Sequence, residues 1–195
     1  MTTLDLARTQ FGVTTLFHFI FVPMSIGLAA WVALCETLHY RTGREIYLRM
    51  TRYWGKFLLI SMAIGVVTGI VQEFQFGMNW SIYSRYVGNI FGAPLAMEGL
   101  LAFFLESTFI GLWIFGWGRL SPRLHLLTAW LVAFGTALSA YFILVANSWM
   151  QHPVGYRLDS ATHQAVLTSI FKVLTNSTVL LAYPHTLFGA LSTAG

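Results

Sequence analysis

Four long apolar runs constrain the fold of this chain more than any other feature. They cover about residues 14–36, 57–78, 94–117 and 126–148, and a fifth run begins near residue 179. A helix needs about 20 mostly apolar residues to cross a bilayer. The sequence therefore predicts an all-α fold, a polytopic transmembrane helical bundle. We expect one domain over residues 1–195, with four complete spans and the start of a fifth.

Charged residues are scarce, and their distribution predicts a topology. Only 9% of the 195 residues are charged, against about 25% in an ordinary globular domain. The net charge of +4 includes no dense basic run, which argues against a nucleic-acid partner. Seven of the eleven basic residues lie in the first and third connections between spans: Arg41, Arg44, Arg49, Arg52, Lys56, Arg119 and Arg123. Because cytoplasmic loops carry an excess of Lys and Arg, we expect the N-terminus to lie outside the cytoplasm.

Two common types of metal or redox site are absent from the sequence. Cys35 is the single cysteine, so the chain has no CxxC pair and no internal disulfide. It also has no HExxH motif, which would indicate zinc. The fifth apolar run reaches the last residue, Gly195, and this favours a chain that is part of a longer protein.

Several ionisable residues fall inside the apolar runs and at similar predicted depths. His18, Glu73, Glu98 and His185 share the outer third of the membrane in this topology. Glu106 follows Glu98 by eight residues, which is about 12 Å deeper at about 1.5 Å per residue. A buried charge at that depth normally faces a partner, a water-filled cavity or a cofactor. On the fourth span, two residues are candidate neutral partners, at the deeper and the outer level respectively: Ser139 and Asn147.

Plainer interpretations remain open for other polar residues. Glu73 could bond a neighbouring glutamine, and Arg8 is either an interfacial cation or the partner of a carboxylate. Gly65 and Gly69 form a GxxxG pattern, which favours close helix packing. Two carboxylates, Glu36 and Glu45, are expected at the inner membrane interface. Four histidines in connections or at their edges are expected to bond backbone carbonyls: His39, His125, His152 and His163. Imidazoles on different spans with glutamates nearby suit haem iron, for which imidazole is a usual axial ligand.

Three segments resemble the large subunit of cytochrome bd quinol oxidase, a haem-bearing terminal oxidase of bacterial respiratory chains. They are RTQFGVTTLFHFIFVPMSIG, the run from WGKFLLISMAIG to FLESTFIGLWIFGW, and ILVANSWMQHP. The resemblance covers essentially the whole chain and implies the N-terminal portion of a nine-span subunit. It implies quinol oxidation and reduction of oxygen to water without a dedicated pump. It also implies a multi-pass protein of the bacterial cytoplasmic membrane.

The resemblance also implies roles for individual residues. His18 corresponds to the axial ligand of a high-spin haem, and His185 to one ligand of the low-spin haem b. Glu98 corresponds to the carboxylate at the high-spin pair, whose members are a haem b and haem d. Arg8 corresponds to a partner of a haem propionate. The proton path corresponds to three residues: Glu106, Ser107 and Ser139.

The partners implied by the family are quinol, oxygen, membrane lipid and a second large subunit. A small single-span subunit, the quinone species and the haem on His18 stay open. Two other functions also stay open for a chain with buried His and Glu. One is a haem-free proton-coupled transporter, and the other is a membrane scaffold without a cofactor.

Overall fold

The computed structural model describes residues 2–195 as a bundle of long helices. The first helix, α1 (Thr3–Thr42), begins at a capping box in which the Thr2 hydroxyl accepts from the Asp5 amide. It ends at Gly43, whose φ of 66° suits glycine and whose amide donates to the His39 carbonyl. Helix α2 (Glu45–Gly77) then runs back beside α1.

The next helical segment is longer than its apolar run predicts. Helix α3 (Ser81–Met97) continues through a π-helical turn (Glu98–Phe103) into α4 (Phe104–Phe115). Between the second and third apolar runs the sequence predicts a polar connection, residues 79–91, but most of that stretch is helical. Its serines, asparagines and arginine suggest a loop, but Val87, Ile90 and Phe91 share one face and are buried. That apolar face keeps the segment helical because it packs on α5 and on the hairpin that follows.

The second half of the described chain contains two helices and a small hairpin. Helix α5 (Pro122–Gln151) begins at Ser121, whose hydroxyl accepts from the Leu124 amide. Strands β1 (Tyr156–Leu158) and β2 (Ala165–Leu167) pair antiparallel, with Tyr156 opposite Leu167. A short helix α6 (Ile170–Leu174) and then α7 (Ser177–Ala194) complete the chain.

The loop of the hairpin is held by Asp159. Its side chain accepts hydrogen bonds from the amides of Ala161 and Thr162, at 2.8 Å and 3.1 Å. These two donors hold the pKa of Asp159 below its usual range, because they stabilise the charged carboxylate. The Asp159 amide also donates to the Gln164 carbonyl, which closes the loop.

Four helical segments are long and apolar enough to cross a membrane: Thr3–Thr42, Glu45–Gly77, Ser81–Phe115 and Pro122–Gln151. This confirms the predicted transmembrane helical bundle. The bundle has two ends, which we name by what they hold. The hairpin end contains residues 78–80 and 152–176, and the turn end contains residues 43–44 and 116–121.

Each end of the bundle has its own apolar core. Toward the turn end, α1, α2, α4 and α5 bury residues that include Val32, Leu58, Trp113 and Val132. Toward the hairpin end, α3, α5, β2, α6 and α7 bury a second group: Val87, Ile90, Phe91, Val145, Ala146, Trp149, Ala165, Val173 and Val179. The glutamates of the candidate site lie on the helices that join these two cores.

Candidate functional site

His18 lies at the contact between α1 and α2. Its Nδ1 atom is 3.1 Å from the Gly65 carbonyl oxygen and 3.2 Å from the Thr68 hydroxyl. A Cβ atom on Gly69 would stand 3.0 Å from Cε1 of the ring, so the imidazole occupies space that any larger residue at 69 would fill. The GxxxG pattern therefore does pack helices closely, as predicted. The side chain that lies against its two glycines is that of His18, the candidate haem ligand.

Glu98 begins the π-helical turn and bonds to α5. The Ser139 hydroxyl donates to Glu98 Oε1 at 2.7 Å. A π-helical turn adds a residue to one turn and occurs often at functional sites, because it re-aims the side chains that follow. Glu98 is partly buried, and Oε2 has no hydrogen-bond partner among residues 2–195.

Glu106 lies against Gly135 of α5. A Cβ atom on Gly135 would be 3.2 Å from both Cα and Cβ of Glu106, so the backbone of α5 passes very close to this glutamate. The carboxyl group of Glu106 is partly buried and makes no hydrogen bond within the described residues.

The prediction places the two neutral partners on the fourth span, Ser139 and Asn147, at the wrong depths. Ser139 bonds Glu98 rather than Glu106, and Asn147 accepts from Gln151 at 2.8 Å rather than facing Glu98. The physical reason is the register between α4 and α5. Gly135 lies opposite Glu106, so Ser139, one turn further along α5, lies nearer the level of Glu98. Hydropathy gives depth only to about a turn and cannot resolve this register.

Glu73 does not pair with its neighbouring glutamines. The Gln72 and Gln75 side-chain amides instead donate to α1, to the hydroxyls of Thr15 and Thr14, at 3.3 Å and 3.2 Å. Glu73 itself is exposed and makes no hydrogen bond with residues 2–195. Its position leaves the carboxyl group open on the surface of α2.

His185 and Arg8 are also exposed in the described chain. His185 lies on α7, on a shallow surface shared with Ser177 and Leu181. Arg8 lies on the first turns of α1 and forms no ion pair within residues 2–195. Neither residue has a hydrogen bond to the glutamates. The described part of the chain therefore joins Glu98 to Ser139 directly and leaves His185 and Arg8 apart from them.

A fully partnered cluster at the turn end was not predicted as a unit. His125 Nδ1 is 2.6 Å from Glu36 Oε1, and the Trp113 indole donates to Glu36 Oε2 at 2.8 Å. His125 Nε2 is 3.0 Å from the Trp113 carbonyl, which confirms the expected bond of this histidine to a backbone carbonyl. Glu36 and His125 are both 5% exposed, so the carboxylate is buried within the protein.

The signal for this cluster was present but weak. Glu36 ends one apolar run and His125 precedes another, and both connections are at the same end of the bundle in an antiparallel arrangement. An acidic and a basic residue at the same depth, such as Glu36 and His125, can form a pair. The sequence does not show, however, which helices are neighbours. The Trp117 ring lies 4.1 Å from the His125 ring between centroids and covers the cluster.

The donor set within residues 2–195 does not suit a bare metal ion. The described residues contain no group of three or more His, Cys, Asp or Glu side chains arranged around one point. Haem needs only one or two axial side chains, because the porphyrin nitrogens supply the other ligands. Two separate histidines, each with an unpartnered Nε2 within the described chain, fit that requirement.

Comparisons with known proteins agree on one family. The family model for "Cytochrome bd terminal oxidase subunit I" matches residues 6–195. Cytochrome bd ubiquinol oxidase subunit 1 of Bacillus subtilis (strain 168) is 57% identical over 193 residues, which are 99% of this chain and 41% of that protein. Cytochrome bd-II ubiquinol oxidase subunit 1 of Escherichia coli (strain K12) is 53% identical over 190 residues, 97% of this chain and 37% of that protein.

A solved structure shows the same fold. The bd oxidase from Geobacillus thermodenitrificans superposes with a TM-score of 0.88 at 28% identity, over 96% of this chain and 43% of that chain. The chain thus spans about two fifths of the length of the curated relatives it matches.

Proposed function

Because this chain belongs to the cytochrome bd terminal oxidase subunit I family, we propose that it is part of a quinol:oxygen oxidoreductase of the bacterial cytoplasmic membrane. The observation that carries this proposal is the family match over residues 6–195. Two quinols supply the four electrons that reduce one oxygen molecule, and four protons complete two waters. The residues of this chain would then hold some of the redox groups and deliver protons.

We assign the haem ligands to the two histidines within the apolar helices. His18 would be the axial ligand of a high-spin haem, either haem b or haem d, and His185 one axial ligand of the low-spin haem b. Haem iron, when bound, supplies electron transfer and oxygen binding. The hydrogen bond from His18 Nδ1 to α2 supports this role, because it leaves Nε2 for the metal. The exposed face of His185 would be covered in the complete assembly.

Glu98, Glu106 and Ser139 would serve proton delivery and charge compensation. Glu98 holds one oxygen on the Ser139 hydroxyl and presents the other without a partner in residues 2–195, so it can accept a proton or face a redox group. Glu106 lies further toward the turn end, and its carboxyl group has no protein partner in residues 2–195, which leaves its oxygens free to bond a water or another proton carrier. Arg8, an exposed cation near the hairpin end, would pair with a haem propionate.

The distribution of charge supports a direction for proton movement. Of the seven basic residues of the first and third connections, Arg44 and Arg119 lie in the turn end and the others lie on the helix segments that adjoin it. We therefore assign the turn end to the cytoplasm. The N-terminus and the hairpin would then lie outside. Protons for water formation would enter from the cytoplasm through Glu106, and quinol protons would leave outside. Charge would cross the membrane without a dedicated pump.

The complete oxidase would contain more than this chain describes. A second large subunit is the expected partner in the membrane, together with lipid around the bundle, and a small single-span subunit is a further candidate. The remaining spans of a nine-span subunit would supply the quinol site and the other haem ligands. These assignments rest on the family and on the share of the relatives that this chain covers.

A reduced-minus-oxidised absorption spectrum of the purified membrane complex tests the proposal. We expect haem bands, and we expect His185→Ala to remove the low-spin band while high-spin bands persist. His18→Ala should do the reverse, and it should change the carbon monoxide difference spectrum because a high-spin haem binds that gas. A complex that folds without any haem band would contradict the oxidase and favour a proton-coupled transporter.

A further inference from the structure

The environment of His18 specifies more than its position. Two oxygen atoms of α2 face Nδ1: the Gly65 carbonyl at 3.1 Å and the Thr68 hydroxyl at 3.2 Å. A carbonyl oxygen can only accept a hydrogen bond. The Thr68 hydroxyl uses its own proton within α2, where it donates to the carbonyls of Ile64 at 2.8 Å and of Gly65 at 3.0 Å. Both oxygens therefore act as acceptors toward the ring.

This arrangement determines the tautomer of the imidazole. With two acceptors at Nδ1, that nitrogen carries the hydrogen of the neutral ring, and Nε2 keeps its lone pair. A histidine whose other nitrogen donates to a fixed acceptor is oriented and made more basic toward a metal. Nε2 has no hydrogen-bond partner within residues 2–195, so it is the ring atom left to bind iron.

The two glycines of α2 make this contact possible. A Cβ atom on Gly69 would be 3.0 Å from Cε1, 3.5 Å from Nδ1 and 3.8 Å from Nε2, so it would push against the edge of the ring. Gly65 supplies the accepting carbonyl, and a Cβ there would meet Phe21 of α1 at 4.0 Å. The glycines therefore let α1 and α2 approach closely, and the same contact fixes the plane of the His18 imidazole.

We propose that Gly65, Thr68 and Gly69 form a seat on α2 that fixes the tautomer and orientation of His18, and so tunes the bond between Nε2 and the high-spin haem iron. These are positioning residues, because they act through His18 and do not touch the reacting groups. The inference rests on the proposed function, in which His18 is a haem ligand. It adds that α2, which supplies no ligand of its own here, sets the strength and direction of that ligand.

The test uses substitutions on α2 in the complete oxidase, with resonance Raman as the main measurement. Thr68→Val keeps the shape of the side chain and removes one acceptor, so the iron–histidine stretching frequency of the high-spin haem should fall and its midpoint potential should rise. Thr68→Ser keeps the hydroxyl and should leave both values unchanged. The low-spin haem spectrum is measured in every variant as a report on folding.

Gly69→Ala should have the larger effect because it displaces the ring. We expect the affinity for the high-spin haem to fall by about 10- to 100-fold, the range that supporting residues of metal ligands typically show. Gly88→Ala is the matched control, since a Cβ there meets nothing within 4 Å. If Gly69→Ala also loses the low-spin haem, the complex has misfolded and Thr68→Val becomes the deciding variant.

The outcomes separate this inference from the proposed function. If His18→Ala leaves the high-spin haem intact, the ligand assignment fails and the inference fails with it. If His18→Ala removes that haem but neither α2 variant changes the stretching frequency, potential or affinity, the seat is overturned and the oxidase proposal survives. A change in Gly69→Ala alone would overturn the part assigned to Thr68.

Discussion

Buried ionisable residues occur in two regions of this bundle, and the two regions differ in how completely their polar atoms are partnered. At the turn end, both oxygens of Glu36, both ring nitrogens of His125 and the indole nitrogen of Trp113 have partners within 3.0 Å. In the π-helical turn Glu98 has one partner, the Ser139 hydroxyl, and on α4 Glu106 has none within the described residues. Both regions lie within apolar helices.

The difference indicates two kinds of role. A buried carboxylate with all its partners in place can stabilise a helix contact, and removal of one partner leaves another group uncompensated. A carboxylate whose oxygens lack hydrogen-bond partners gains little stability from its surroundings, so its presence within an apolar helix favours a role with a proton, a water or a cofactor. Glu36 thus joins α1 to α4 and α5, whereas Glu98 and Glu106 have the proposed roles in the reaction.

The largest effect on stability should come from breaking the fully partnered cluster. Glu36→Ala leaves His125 and the Trp113 indole without partners in a buried site, and we expect a loss of about 3–5 kcal/mol in the free energy of unfolding. Thermal unfolding of the purified complex in detergent measures this. Glu36→Gln is the control, because its amide can still accept from Trp113 and donate to His125. An alanine variant as stable as the wild type would remove the distinction between the regions.

A smaller effect should follow from crowding Glu106. Gly135→Ala places a Cβ 3.0 Å from Leu105 Cδ2 and 3.2 Å from the Glu106 backbone, so α4 and α5 must move apart slightly. Overpacking typically costs about 1–3 kcal/mol, and the higher helix propensity of alanine offsets up to about 1 kcal/mol. Gly111→Ala on α4 is the matched control, since its Cβ would meet nothing within 4 Å. Equal unfolding temperatures for both variants would show that this contact is loose.

The smallest effect on stability should come from Ser139→Ala. It removes one hydrogen bond from a carboxylate that is already incompletely partnered, at a cost of about 1 kcal/mol. The same thermal unfolding experiment measures it, with haem content recorded alongside. If Ser139→Ala destabilised the complex as much as Glu36→Ala, the Ser139–Glu98 contact would contribute as much stability as the cluster at the turn end.

The fold followed from the sequence more fully than the site did. Hydropathy located the four membrane-spanning helices because a spanning helix must be apolar over its whole length. It failed over residues 81–91, where one apolar face keeps a polar-looking stretch helical. The Glu36–His125 pair and the Ser139–Glu98 bond depend on which helices are neighbours and in what register. No local pattern contains that information.

The central claim is that the carboxylates with unpartnered oxygens are the ones that act in the reaction. Matched glutamine variants of Glu106 and Glu36 test this claim most directly. Each keeps the size of the side chain, but Glu106→Gln cannot relay a proton. We expect haem-normalised oxygen consumption to fall by about one to four decades in Glu106→Gln with the haem spectrum intact. Glu106→Asp should recover part of the rate, and Glu36→Gln should leave it unchanged. Full activity in Glu106→Gln, or an equal loss in Glu36→Gln, would contradict the account.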